Sequence, residues 1–251
     1  MLYLCLVKDL FSEQSELYQQ ARPSYPKLMI EALLAQIKTR VHAWDCGAGS
    51  GQLTQLLAPY FQDVIATDLS QNQLDQAPRF ANVQYLQQAA EHTTFPNQYF
   101  DFITVAQAIH WFDFEKFYAE VKRTLKPDGI FAVIGYGLLQ LDDIELNQKV
   151  IQLYTETLNG FWDAERSYID EHYQSIPFPF DEIIMPSFQI ELAWTGQQLW
   201  DYLNTWSAIK HYQKQLNLNP LDRLKQIILS QHTINVSFPI LLRVGRLRTL
   251  K

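Results

Sequence analysis

Asp45-Cys46-Gly47-Ala48-Gly49-Ser50-Gly51 sets a carboxylate and three alternating glycines at the end of an apolar run, Val41 to Asp45. Glycine adopts positive φ at no steric cost and lets main-chain N–H groups approach a ligand with no Cβ between them. A turn of this kind between a buried strand and a helix is where an open α/β sheet holds a nucleotide-like ligand. The spacing narrows the ligand class. A dinucleotide fingerprint G-x-G-x-x-G needs glycine at position 52, where Gln52 stands. A phosphate loop closes on Gly-Lys-Ser/Thr, and no such tripeptide occurs in the chain.

Further polar residues stand at the ends of other apolar runs. Asp63 to Asp68 reads as a second buried strand with Asp68 at its carboxyl end, one strand-helix unit beyond Asp45. A carboxylate there accepts hydrogen bonds from both hydroxyls of a ribose. The competing role is a cap for the next helix, although Ser70 is itself a cap residue. A third strand, Val83 to Leu86, leads into Gln88-Ala89-Ala90-Glu91-His92, and a fourth, Phe100 to Gln107, runs into Ala108-Ile109-His110-Trp111-Phe112-Asp113.

These residues need a frame of helices and strands. A helix begins near Gly51 with Leu53, Leu56, Leu57 and Tyr60 on one face. Two helices precede the first strand: Ser12 to Ala21, ended by Arg22-Pro23, and one from Pro26 that buries Met29, Ala32, Leu33 and Ile37. Another helix runs from Asp113 to Leu125. In Lys126-Pro127-Asp128-Gly129, Pro127 is expected to stop it and Gly129 to permit the reversal into a fifth strand, Ile130 to Gly135. The strand–helix rhythm then stops. Leu141 to Phe161 reads as helical, with Ile144, Val150, Leu153, Tyr154, Thr157 and Leu158 apolar-facing. Ile176 to Phe180 is a proline-aromatic loop, and Phe188 to Trp194 alternates at period two like a half-covered strand. Helices follow from Thr195 and over Leu221 to Gln231. The last strand is Ile234 to Val244, where Pro239 points to an edge or a bulge.

The pattern Asp-x-Gly-x-Gly-x-Gly, Asp68-Leu69-Ser70 and the Leu-Lys-Pro-Asp-Gly turn resemble the class I S-adenosylmethionine-dependent methyltransferases of the type 11 group. Within that group, Tyr18-Gln19-Gln20-Ala21-Arg22-Pro23-Ser24-Tyr25-Pro26, Ala106-Gln107-Ala108-Ile109-His110-Trp111-Phe112-Asp113 and Thr205-Trp206-Ser207-Ala208 resemble the branch that includes the trans-aconitate methyltransferases. The resemblance implies a doubly wound, Rossmann-like, seven-stranded α/β sheet of order 3-2-1-4-5-7-6 with a helical cap after strand 5. It divides a single domain into N-terminal helices (1–40), a cofactor-binding half (41–137), the cap with strand 6 (138–233) and the last strand (234–251).

It also implies cofactor contacts from Tyr18, Arg22, Asp45, Gly47, Ala48, Gly49, Gly51, Asp68, Leu69, Ala90, Glu91, Ala106 and Gln107. The loop that borders the adenine often holds Asp-Ala; here Ala89 takes the acid's place, which leaves backbone groups of Ala90 and Glu91 for that task. Arg22 suits the cofactor carboxylate or an acidic substrate, since its planar fork matches a carboxylate; a surface arginine on helix carbonyls is the competing role. Gln107 faces the methionine part of the cofactor.

Methyl transfer is an in-line displacement, so alignment and desolvation are the main tasks of the protein. A carboxylate acceptor is already ionised and needs no base, whereas a phenol or an enolisable carbon does. His110 is the candidate base, or else a residue that orients its loop. Trp111, Tyr136 and Trp162 are candidates for the substrate pocket, Trp111 equally for the core. Trp206 is expected to pack the cap onto the core. The leading expectation is methyl transfer to a small molecule, a carboxylate oxygen included. C-methylation of a quinone precursor, or silent binding of S-adenosylmethionine, is the alternative.

Composition sets limits on partners. The chain has 251 residues, 47% hydrophobic and 19% charged, which suits one α/β domain with an elaboration. A net charge of −7 argues against a nucleic-acid partner. The region after the fourth strand also lacks the Asp/Asn-Pro-Pro-Tyr/Phe of amino methylation of bases, and no cysteine stands there for cytosine C5 chemistry. Cys5 and Cys46 form neither a disulfide framework nor a metal site, a usage that suits a reducing cytoplasm. Met1 to Val7 is apolar but lacks a basic region and a cleavage site, and is expected to be an extra strand or helix turn, or to follow an upstream start codon. A small-molecule substrate, no membrane partner, no metal, and a monomer or homodimer complete the expectation.

Overall fold

The computed structural model describes residues 23–248. The expected helix Ser12 to Ala21, the apolar start and the candidates Tyr18 and Arg22 lie outside these residues.

The chain alternates strand and helix through its first half: α1 (Lys27–Leu34), β1 (His42–Cys46), α2 (Thr54–Leu57), β2 (Asp63–Asp68), α3 (Gln71–Asp75), β3 (Val83–Gln87), β4 (Phe100–Ala106), α4 (Phe114–Thr124) and β5 (Leu125–Tyr136). These five strands are parallel, in the order β3-β2-β1-β4-β5. Each central strand feeds both faces, because successive side chains point to opposite sides. Ile130, Ala132 and Ile134 of β5 join one buried cluster with Met29 and Leu33 of α1. Phe131 and Val133 join the other, with Trp44, Phe117 and Val121. A register shift between Phe100 and Phe102 turns Phe100 toward this second cluster.

The second half holds β6 (Gln140–Leu141), α5 (Ile144–Gln152) with a π-helical continuation (Leu153–Thr157), α6 (Arg166–Asp170), β7 (Asp181–Ile183), β8 (Gln189–Trp194), α7 (Gly196–Asn204), α8 (Ser207–Leu216), α9 (Lys225–Leu229) and β9 (Ile234–Arg246). The described residues thus form nine strands where seven are expected, and the register shows why. Thirteen residues make β9 longer than its pairing with β5, which covers Ile240 to Gly245. β6 and β8 both pair with Val236 and Ser237, so they occupy opposite edges of β9. β5 and β7 both pair with Val244 and Gly245 and are likewise opposite. The main-chain bond from Gly137 N to Pro239 O keeps β6 on the β5 side. The expected seven lanes are therefore present in the expected order, two of them broken into two pieces.

Two local expectations are corrected. Pro239 lies in an interior strand, neither at an edge nor in a bulge; its missing N–H falls in the gap between the end of β5 and the start of β6. By contrast, α4 ends at Thr124, within one residue of the expected end, and Lys126 to Gly129, although continuous with β5, bulge out unpaired between Leu125 and Ile130, the partners of Phe100 and Phe102. Gly129 is required by crowding: a Cβ there would lie 2.6 Å from Leu125 Cδ1. Tyr60 and Ile144, expected on buried faces, are exposed.

Several other boundaries follow local chemistry. Asp113, Asp143 and Ser70 cap α4, α5 and α3 by accepting main-chain N–H bonds. Thr195 and Gln198 form a capping box at α7. The helix Leu221 to Gln231 divides into a 3₁₀ turn, Pro220–Arg223, and α9. Among the described residues no helix is long and apolar enough to cross a membrane.

Candidate active site

The carboxyl ends of β1, β2 and β4 converge on the glycine turn. Gly47, Gly49 and Gly51 have φ of +66°, +55° and +80°, the left-handed region that alternate glycines permit. At Gly47 a Cβ would also meet Ala108 Cβ at 2.6 Å, so the turn and the loop after β4 touch through the absent side chain. Ala48 N donates to Thr67 O at 2.9 Å, pinning the turn to β2.

Two carboxylates stand on this frame. Asp45 is fully buried, and burial raises its carboxyl from 3.8 to about 6 against the opposing effect of two hydroxyl donors. Those donors are Thr54 Oγ1 at 2.6 Å and Thr104 Oγ1 at 3.1 Å. Asp68 accepts from Gly49 N on one oxygen and from Ser70 N on the other, both at 2.9 Å. It is therefore oriented by the glycine turn, while Ser70 does the capping of α3. Each oxygen of Asp68 keeps acceptor capacity beyond its one main-chain bond.

A cleft opens beside Asp45, lined by Pro23, Tyr25, Ala48, Gln52, Leu53, Ala106, Gln107 and Tyr136. Gln107 ends β4 with a φ of +55°, a strained backbone for glutamine. Its N–H is held by Ile134 O at 2.9 Å. Its amide Nε2 donates to Tyr136 O at 3.1 Å, and Tyr173 Oη donates to its Oε1 at 3.4 Å. Tyr173 is itself in the left-handed region and fully buried.

The structure brings Asp45, Ala48, Ala106, Gln107 and Tyr136 to one cleft, with Gly47, Gly49, Gly51 and Asp68 in the adjoining turn. Leu69 is exposed next to Asp68, and Ala90 is buried. Glu91 accepts from Asp113 N at 3.1 Å, tying the loop after β3 to the start of α4. His110 sits in a 3₁₀ turn, Ile109–Trp111, buried against Tyr173 and Trp111. His110, Trp111 and Trp162 are not among the residues that line the cleft. Trp162 packs on Tyr154 and Trp206, its indole N–H on Tyr154 O at 3.1 Å.

Sequence reasoning missed Thr54, Thr104 and Tyr173. Threonines on strands and helices are common, and only the fold brings these two to Asp45. Tyr173 arrives through a left-handed pair with His172, for which the sequence has no glycine signal.

The methyltransferase-domain family of type 11 matches residues 44–133, the stretch that builds the turn and the cleft floor. A protein of Dictyostelium discoideum named as a methyltransferase is 33% identical, over 92% of each chain. An uncharacterised methyltransferase of Mycobacterium tuberculosis is 36% identical, over 84% of this chain and 82% of its own. A solved structure from Anaeromyxobacter dehalogenans, described as a type II methyltransferase, superposes with a TM-score of 0.83 at 35% identity, over 91% of this chain and 99% of that one. The chain belongs to the class I S-adenosylmethionine-dependent methyltransferases.

The methyltransferase site fits its cofactor on two observations. The glycine turn presents main chain without Cβ atoms beside an oriented carboxylate, Asp68, with acceptor capacity for ribose hydroxyls. The cleft beyond it is lined by a buried carboxylate, Asp45, which when ionised favours a positively charged group there over a neutral one.

Proposed function

We propose that this methyltransferase acts on a small organic acid and transfers the methyl group to a carboxylate oxygen, within the branch that includes the trans-aconitate methyltransferases. The observation that carries the reading is the segment after β4. Gln107, strained and bonded on both amide ends, lines the cleft near the start of that segment, and Tyr173, which bonds it, also packs on His110. That segment, Ala106 to Asp113, is one of the three whose sequence resembles the branch.

S-adenosylmethionine supplies, when bound, an electrophilic methyl carbon on a positively charged sulfur. In this reading Asp68 and Leu69 hold the nucleoside, Ala90 and Glu91 border the base, and Asp45, Ala106 and Gln107 hold the amino acid end. Arg22 and Tyr18 belong to the same proposed contact set. Residues 41–137 form the cofactor half and 138–233 the cap. An ionised acid needs no proton removed, so the tasks left to the protein are alignment and exclusion of water. His110 then orients its loop; as a general base it would matter only for a phenol or carbon acceptor. Trp111, Tyr136 and Trp162 are the proposed pocket walls, and the cytoplasm is the proposed location.

The test is release of S-adenosylhomocysteine with a panel of mono-, di- and tricarboxylic acids, phenols and quinols. Methyl esters formed from acids, at a rate that survives His110→Gln, are expected. Turnover confined to quinols or phenols overturns the acid reading. Tight binding of S-adenosylmethionine without turnover on any of them favours a silent binding protein, and preference for NAD would exclude both.

A further inference from the structure

Outside the cofactor site, one cation is arranged in a way that its structural contacts do not exhaust. Arg166 opens α6, which packs against the 3₁₀ turn holding His110. Its guanidinium carbon lies 5.3 Å from the ring centre of Tyr154 and 5.2 Å from that of Trp162. Nε donates to Tyr154 Oη at 2.8 Å, and Tyr154 Oη donates to Asp170. Asp170 itself stands 3.5 Å from Arg166 Nε, beyond the usual length of a charge-assisted bond. Among the described residues the two terminal nitrogens of Arg166 make no hydrogen bond, although the side chain is only 23% exposed. A guanidinium that is stacked, fixed by Nε and open at its terminal edge is the form that grips a carboxylate with two parallel bonds.

The surroundings link Arg166 to the reaction cleft through Tyr173. Arg166 counteracts the effect of burial on the phenol of Tyr173, so the two are within electrostatic reach. Tyr173 Oη in turn contacts Gln107, which lines the cleft. Tyr154, the residue that fixes Nε, sits in the π-helical stretch Leu153–Thr157. Such insertions recur at functional sites, because they shift one side chain out of helical register.

We propose that Arg166 is a specificity residue that binds a carboxylate of the acceptor, supported by Tyr154 and Trp162, and holds it apart from the atom that is methylated. The proposal rests on the organic-acid reading above. It implies an acceptor with a second anionic group: a carboxylate clamped by the guanidinium is stabilised as an anion and is a poor nucleophile, so another atom must attack.

The experiment is calorimetric titration of succinate, tricarballylate and butyrate into the protein saturated with S-adenosylhomocysteine, paired with kinetics on any acid that is methylated. Arg166→Met keeps an apolar stem over the two rings and removes the fork. It is expected to weaken binding of the di- and tricarboxylate by about tenfold or more, to change butyrate less, and to raise KM with kcat held. Arg166→Lys is expected to recover only part of the loss. Asp170→Asn removes the neighbouring negative charge and is expected to tighten acid binding, which a purely structural role for Arg166 would not produce. Unchanged affinity for S-adenosylhomocysteine in each variant shows that the fold is intact. Equal acid affinity in wild type and Arg166→Met overturns the anchor and leaves the organic-acid reading standing. Absence of acid binding and turnover in the wild type overturns both.

Discussion

Asp45 and Asp68 end neighbouring strands, yet the structure treats them differently. Asp45 is sealed under the glycine turn with two hydroxyl donors, whereas Asp68 is half-buried and bonded to two main-chain N–H groups. Burial favours the protonated form of Asp45, with the carboxyl at about 6 in the folded chain against 3.8 without burial. The folded state therefore binds the extra proton between those values, and its stability falls as pH rises through the window from about 4 to about 6. The loss from this one group is about 3 kcal/mol at neutral pH relative to acid. Urea denaturation across that window is expected to show the slope in wild type and to lose this contribution in Asp45→Asn. Asp68→Ala is expected to weaken S-adenosylmethionine binding by about 1–3 kcal/mol, the cost of losing charged hydrogen bonds; calorimetry reads it, and unchanged affinity would refute the ribose role. The carboxylate positions were legible in the sequence, since each ends an apolar run. Their electrostatic states were not, because Thr54 and Thr104 reach Asp45 only after β1, α2 and β4 assemble.

At the scale of elements, the glycine turn is the most constrained piece. A side chain at Gly47 would have to adopt φ of +66° and to displace Ala108. Gly47→Ala is expected to cost about 2 kcal/mol or more, from left-handed strain and the clash together. Thermal denaturation measures it, and a melting temperature equal to wild type would show that the loop after β4 yields freely. The turn could be read in advance because its backbone demands glycine whatever surrounds it. The segment Lys126 to Gly129 was legible too: proline and glycine suggest a turn, and the four residues bulge unpaired between Leu125 and Ile130, with Leu125 rather than φ crowding Gly129. Pro239 misleads: a proline is tolerated in an interior strand where a partner strand is interrupted, and that interruption is invisible in the sequence of β9.

Across the whole molecule, the cap is fastened to the sheet by aromatic side chains. Trp206 packs on Tyr154, Trp162 and Tyr202, and Tyr202 continues to Phe238 of β9. Trp206→Ala is expected to destabilise the protein by about 3–5 kcal/mol, the range for deleting a large buried aromatic. Chemical denaturation reads this, and because Trp206 does not line the cleft, affinity for S-adenosylmethionine in the folded fraction should be retained. Retained stability would mean that the cap is held by other contacts. This same cluster holds the Arg166 guanidinium over Tyr154 and Trp162, so the fastening of the cap and the proposed selection of the acceptor share residues.

The sequence by itself determined the cofactor and the sheet that holds it, because both depend on local chemistry: apolar runs of strand length, glycines at alternate positions and an acid at a strand end. The tertiary structure alone decided how the second half of the chain meets the end of β4. Tyr173 comes from a cap without the strand–helix rhythm, and it reaches Gln107 and His110 through contacts between segments distant in the chain. Such contacts depend on how the cap folds back over the strand ends, which no spacing in the sequence encodes.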